Sequence, residues 1–330
     1  MLSYRDHIRQ GLCIPIGTPV SWRNSFSSRP HSLRQAMRAM LSPGSFTEVD
    51  EGHRRQYWTD ECQGVACDGV YWYFTSNSHK TLEVFRLGDN LEEDHGFCPA
   101  LGFRSFVPGL DHIGQITYHD GYLYVSHYSD GPSQVIVLQF DGNQFHLVRI
   151  VQVLEQIHTS PSTGASIARL EFQDLNPWDG LLYTCGGCMD GQPVYEFFKH
   201  DPETGLFKRR ADNGEPDTLR LSSPIFNVQG ACFSPNGHLY VSEDIRMPFN
   251  DNLKRVSYFS ALNGHKYGEF YVVAEEKGYY PDEMEGLCYA DLSWPDGRRA
   301  QIHLVLLENC MEGDDGIYFK WYCAENPDLV

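Results

Sequence analysis

The chain has 330 residues, 41% hydrophobic and 13% aromatic, with a formal net charge of −18. This is apolar material for a sizeable core and too much chain for one ordinary sandwich, so one large repeat fold or two domains is expected. Residues 1–55 hold eight Arg against four acids, and the rest holds 18 basic against 40 acidic residues, a balance that argues against nucleic acid and membrane as partners and for a cationic ligand or a divalent metal.

Residues 1–45 differ in kind from the remainder of the chain. The stretch "HSLRQAMRAML" is a helix candidate, with Ser32 and Gln35 as a capping box and "SPG" at 42–44 as its stop. These residues read as a strap packed on the body. No apolar run approaches the ~18 residues of a membrane span. The start lacks the apolar core of a secretory signal, so a reducing, cytoplasmic setting is expected. Cys67, Cys232 and Cys288 stand within strand-like runs and read as buried thiols; Cys185 and Cys188 form an isolated Cys-x-x-Cys with no second half-site.

From residue 46 onward one pattern recurs. "QGVACDGVYWYFTSN" begins at Gln63, "IGQITYHDGYLYVSH" at Ile113, "FQDLNPWDGLLYTCG" at Phe172, "VQGACFSPNGHLYVSED" at Val228 and "EGLCYADLSWPDGRRAQIHLVLLEN" at Glu285. Each is an apolar run, a turn with Asp-Gly or Asn-Gly, and a second apolar run, the strongest short-range hairpin signal. Equivalent positions fall at Gly64, Gly114, Gln173, Gly230 and Gly286, in steps of 50, 59, 57 and 56 residues. Further strand-like runs come after each hairpin. Two to four strands per repeat with no helix between them predict an all-β propeller, which shields strand edges by radial repetition. Five blades are expected, with six as the rival count if residues 1–62 hide another. The last repeat is a strand short, so 46–330 is read as one propeller domain closed by a strand from 46–62. The repeated aromatics Tyr71, Trp72, Tyr73, Tyr122, Tyr124 and Tyr240 read as blade-packing residues.

In a propeller the first strand of each blade lines the channel and the second runs back. Residues just before the first and just after the second therefore meet on one axial face. Before the first strands stand Gln63, Asp111 and His112, Glu171 and Asp174, Gln229, and Glu283 and Glu285; after the second strands stand Asn77 and His79, His127, Cys185, Glu243 and Asp244, and Glu308 and Asn309. Clustered carboxylates and amides suit Ca²⁺ or Mg²⁺, and His with carboxylate suits Zn²⁺, Fe²⁺ or Mn²⁺. Ca²⁺ or Mg²⁺ is the preferred expectation, with Glu285, Glu243, Asp244 and Asp174 as ligands. Gln63, Asn77, Gln229 and Asn309 are the candidate substrate-binding amides. His112 or His127, with Asp111, is the candidate acid–base group.

"VQGACFSPNGHLYVSED" and "MEGLCYA" resemble blades of the gluconolactonase- and strictosidine-synthase-like propellers, which repeat a Gly, a short apolar run, "SPDG" or "DG", then "LYV". The resemblance covers two clear repeats and three weaker ones. It implies a propeller, six-bladed as a rule, and in the lactonase group a divalent cation held by a Glu ahead of an early strand with Asn and Asp from other blades. Glu285 in "MEGL" matches that Glu locally, in the last repeat rather than the first. The expectation is an enzyme acting on a small polar substrate as a metal-assisted hydrolase, lyase or isomerase. The alternative is a non-catalytic propeller that binds a protein or carbohydrate.

Overall fold

A computed structural model describes residues 14–15, 37–89, 91–93, 95–105, 107, 109–128, 133–153, 170–186, 193–246, 252–273, 282–294, 296–309 and 315–330. The N-terminal segment supplies β1 (Ile14–Pro15) and β2 (Phe46–Arg54). Blade 1 is β3 (Cys62–Cys67), β4 (Tyr71–Ser76), β5 (Thr81–Arg86) and β6 (Leu101–Gly102). Blade 2 is β7 (His112–His119), β8 (Tyr122–Tyr128), β9 (Gln134–Phe140) and β10 (Phe145–Gln152). Blade 3 is β11 (Leu170–Leu175), β12 (Leu182–Gly186), β13 (Pro193–His200) and β14 (Thr218–Phe226). Blade 4 is β15 (Val228–Phe233), β16 (His238–Arg246), β17 (Asn252–Ser260) and β18 (Lys266–Tyr271). Blade 5 is β19 (Glu283–Ser293), β20 (Arg299–Glu308) and β21 (Gly316–Ala324), with β2 added on the outside and β1 beside β19. The protein is an all-β, five-bladed propeller, against the six blades usual in the family it resembles.

Strand alternation explains how one repeat builds the whole core. Neighbouring side chains on a strand point to opposite faces, so each blade feeds the seam on either side of it. On β4, Trp72 and Phe74 pack into the seam with blade 5 beside Phe319 and Trp321, while Tyr73 packs toward blade 2 beside Ile113 and Val125. On β16, Leu239 and Val241 enter the seam with blade 3, and Tyr240 the seam with blade 5. The fifth cluster, around Tyr124, Val137 and Leu182, joins blades 2 and 3. The described residues thus form one apolar cluster per seam.

The ring is closed by a long antiparallel pairing of β2 with β21, from Phe46 opposite Ala324 to Arg54 opposite Ile317. Lys320 on β21 pairs with Glu48 and Glu51 on β2, and Glu308 accepts from Arg55 at 2.9 Å and lies 2.7 Å from His53. Of the expected strap helix, Met37 and Arg38 are helical and Ala39–Met40 form a turn, whereas Ser32 and Gln35 lie outside the described residues. Residues 39–45 lie on blade 4: Tyr267 donates to Ala39 O, Tyr258 to Gly44 O at 2.6 Å, and His238 Nε2 lies 2.9 Å from Leu41 O.

The recurring glycine has a structural cause. A Cβ on Gly286 would stand 2.6 Å from Gly64 Cα, and one on Gly64 would stand 2.7 Å from the Ile116 nitrogen. At these glycines the inner strands of blades 1, 2, 4 and 5 come so close that backbone faces backbone, whereas blade 3 carries Gln173 in that slot.

Candidate active site

The inner strands begin at one end of the channel, here the upper end, and finish at the lower end. At the upper end lies a cavity of about 290 Å³ lined by Glu61, Gln63, Asn77, His112, Gln229, Glu283, Glu285, Leu307 and Asn309. Four blades contribute to it. Gln63, His112, Gln229, Glu283 and Glu285 come from the first residues of inner strands, and Asn77 and Asn309 from just beyond second strands.

Beneath the cavity, Gln115 spans the channel. Its amide donates to Ala231 O and its Oε1 accepts from Ala231 N at 2.7 Å, tying blade 2 to blade 4 across the axis. Gln173, which replaces the glycine of the other repeats, donates to Tyr124 O at 2.8 Å and Gln115 O at 3.3 Å. Both amides are buried.

A hydrogen-bonded chain forms the wall between blades 1 and 2. Lys80 Nζ donates to Asn77 Oδ1 at 2.7 Å, Asn77 Nδ2 donates to Glu61 Oε2 at 2.7 Å, and Ile113 N donates to Asn77 Oδ1 at 3.0 Å. Glu61 and Lys80 both have left-handed backbone, φ 47° and 56°. Such conformations are uncommon for these residue types and concentrate where surrounding structure holds them at a site. Burial pulls the Lys80 ammonium below its usual range, opposed by Glu61 and Asp111 and reinforced by Arg104. His112 Nε2 lies 3.0 Å from Gln63 Oε1. With the amide oxygen as acceptor, the ring donates from Nε2. In the seam between blades 1 and 5, burial pushes the Cys62 thiol up, and the nearby charge of Glu285 adds to the shift.

The predicted residues therefore separate. Gln63, Asn77, His112, Gln229, Glu285 and Asn309 converge on the cavity. Asp111 is exposed and outside its lining. His127 is buried, 3.1 Å from Gln134 Oε1 on the neighbouring strand, because β8 continues through it to Tyr128. Glu243 and Asp244 are likewise still inside β16, which runs on to Arg246 and pairs them with Arg255 and Lys254. Glu243 is fully buried: Arg255 grips it through Nε at 3.1 Å and a terminal nitrogen at 2.6 Å, and Ser257 Oγ and Phe226 N also donate to it. Asp244 Oδ1 lies 4.0 Å from Lys254 Nζ. Asp174 belongs to the lower end, where it accepts from Thr117 Oγ1 at 2.5 Å, Phe233 N at 2.7 Å and Leu175 N at 2.7 Å.

Of the four carboxylates assigned as ligands only Glu285 faces the cavity. Among the described residues no group of three or more His, Cys, Asp or Glu is placed to hold a metal ion. Glu61 was missed. Glu61 lies just ahead of β3 in a left-handed turn, so strand alternation from Gln63 does not reveal which way it faces.

No family model and no curated protein matches the chain. Solved structures resemble it in fold. A glutaminyl cyclase from Myxococcus xanthus aligns with a TM-score of 0.48 at 11% identity, over 84% of this chain and 96% of that one. The PQQ-bound aldose sugar dehydrogenase from Streptomyces coelicolor aligns with a TM-score of 0.44 at 13% identity, over 86% of this chain and 100% of that one. The tail fibre of Staphylococcus aureus phage P68 aligns at 0.46 and 11% identity, over 88% of this chain and 56% of that one.

Proposed function

We propose that the protein is a small-molecule enzyme of hydrolase, lyase or isomerase type, working in the upper axial cavity by proton transfer. The observation that carries this reading is the composition of one cavity: a histidine, three glutamates and four amides brought from four blades around about 290 Å³. A concave site with convergent polar groups is where a small ligand binds, and its size suits a small polar molecule. His112 takes or gives the proton, its ring oriented by Gln63. Glu285 and Glu283 face the same space and supply acid or counter-charge, and Gln229 and Asn309 orient the substrate. A reducing, cytoplasmic setting fits the seven free thiols among the described residues.

The test is a thermal-shift screen of small polar metabolites, with each hit incubated with the protein and followed by NMR. The expected result is a hit that is converted, with turnover abolished by His112→Ala and binding changed only a few-fold. A hit that binds and is never converted supports the non-catalytic binding reading. Turnover unchanged in both His112→Ala and Glu285→Gln overturns the assignment of this cavity.

A further inference from the structure

We propose that a second cavity, between the outer strand β10 of blade 2 and the β13–β14 connection of blade 3, binds a small amphipathic anion: an apolar body carrying one carboxylate. This goes beyond the reading of the upper axial cavity and does not depend on it.

The cavity measures about 860 Å³, against about 290 Å³ at the axis, and falls in the size range of sites that enclose a drug-sized ligand. Val151, Val153 and Phe207 line it from the apolar cluster of the seam between blades 2 and 3. Ile150 and Leu206 flank it and stay 38% and 62% exposed. Its walls are anchored to each other. Asp201 N donates to Leu206 O at 2.9 Å, and the Asp201 carboxylate accepts from Glu203 N at 3.0 Å and Thr204 N at 2.9 Å, which closes the turn on itself. Gly205, at φ 71°, backs onto β10 so closely that a Cβ would stand 2.0 Å from Gln152 O. Arg149 on β10 donates to Glu203 at 2.8 Å. The space is therefore a preformed gap between parts that are already tied together, the form a small-molecule site takes.

The lining selects the ligand. Its five apolar side chains favour an apolar body, each buried methylene strengthening binding about fourfold. Two charged side chains line the same space, Glu203 and Arg209. Glu203 is held by Arg149, whereas Arg209 donates to Gly214 O at 2.8 Å and makes no ion pair among the described residues. The remaining N–H groups of that guanidinium form the planar fork that grips a carboxylate through two parallel hydrogen bonds. A cationic ligand would meet Arg209 and a glutamate already paired. A sugar would set its hydroxyls against five apolar side chains. An apolar body with one carboxylate answers both parts of the lining.

The experiment is isothermal titration of the full-length protein with four probes: octanoate, octylamine, 1-octanol and acetate. Octanoate binds, and acetate, the same head without the body, does not. Arg209→Gln weakens octanoate about tenfold or more, the usual weight of a hydrogen bond to a charged group. Leu206→Asp, which removes an apolar wall and adds a like charge, abolishes octanoate binding. Both side chains are exposed, so both variants fold and their circular dichroism matches wild type. His112→Ala and Glu285→Gln leave octanoate binding unchanged. Octylamine or 1-octanol binding as tightly as octanoate overturns the anionic class. No octanoate binding, or binding that Arg209→Gln and Leu206→Asp both leave intact, overturns the site. Octanoate binding lost in His112→Ala places the ligand at the axis and overturns the inference as well. The metabolite screen decides the axial assignment independently of all these outcomes.

Discussion

The two ends of the channel are built from the same five strands and differ about tenfold in cavity size. The upper end encloses about 290 Å³ among glutamates, amides and His112, whereas the lower end encloses about 30 Å³. The lower lining is Cys67, Cys232, Cys288, Tyr118, Phe233, Tyr289 and Asp174 among others. A space that small holds about one water. Aromatic rings and thiols fill the lower mouth, and burial pushes the thiols of Cys232 and Cys288 up, which keeps them protonated. Repetition thus creates two equivalent rings of positions, and side-chain volume decides which one stays open for chemistry.

The upper end also contains carboxylates of two kinds, and separating them gives the largest expected effect. Arg255→Ala leaves Glu243 buried without its partner and destabilises the fold by about 3–5 kcal/mol, read by urea unfolding. A loss under about 1 kcal/mol, the level of an exposed pair, would show that Glu243 is not committed to the sheet.

Asp174 tests the lower end. Burial raises its carboxyl to about 7, outweighing the hydrogen bonds from Thr117, Phe233 and Leu175. The folded value lies above the unfolded one, so the folded state binds the proton more tightly. This contribution is fully present below the ordinary Asp range and is lost as pH rises through about 7. Wild type should therefore lose up to about 4 kcal/mol relative to Asp174→Asn between about pH 4 and 8. A difference that stays flat across that range contradicts the shift.

Gly286→Val attacks the narrow waist shared by both ends. Its Cβ would meet Gly64 Cα, and the expected cost is roughly 3 kcal/mol, because backbone cannot yield as a side chain can. Gln115→Ala removes the bridge between the two cavities. It leaves the Ala231 N–H and C=O without their partner and costs about 1–3 kcal/mol, read by urea unfolding. Glu285→Gln is the smallest, within about 1 kcal/mol of wild type in stability, since the fold accepts Gln in that slot. A large loss would move Glu285 from the site to the scaffold.

Much of the propeller was legible because its signals are local. Asp-Gly and Asn-Gly turns, two-residue alternation and repeat steps of 50 to 59 residues are properties of short segments, and they led to five blades. The upper ring was legible in part for the same reason. Gln63, Gln229 and Glu285 each stand one residue before the glycine marker at the start of an inner strand, and that shared position fixes which way they face; His112 stands two before its glycine, in a strand with a register irregularity. Errors came where strands outran the repeat. β8 and β16 continue past the expected ends, so His127, Glu243 and Asp244 remain paired within their sheets. Strand length is set by the partner strand, which local sequence does not display. Asp174 was misplaced because it lies one residue beyond the marker position of its repeat, which carries it from the upper mouth toward the lower one.

By itself the sequence determined the class of fold, the number of repeats and the glycines that let the inner strands meet, since each stems from backbone preference and side-chain period. Tertiary structure alone decided which carboxylates face the cavity and which are taken by Arg255 or Lys254. It also decided that Gln115 divides the channel and that Lys80 reaches Glu61 through Asn77. These contacts join residues from different strands or different blades, and a side chain's charge becomes available for binding only after its neighbours have settled which charges are already paired.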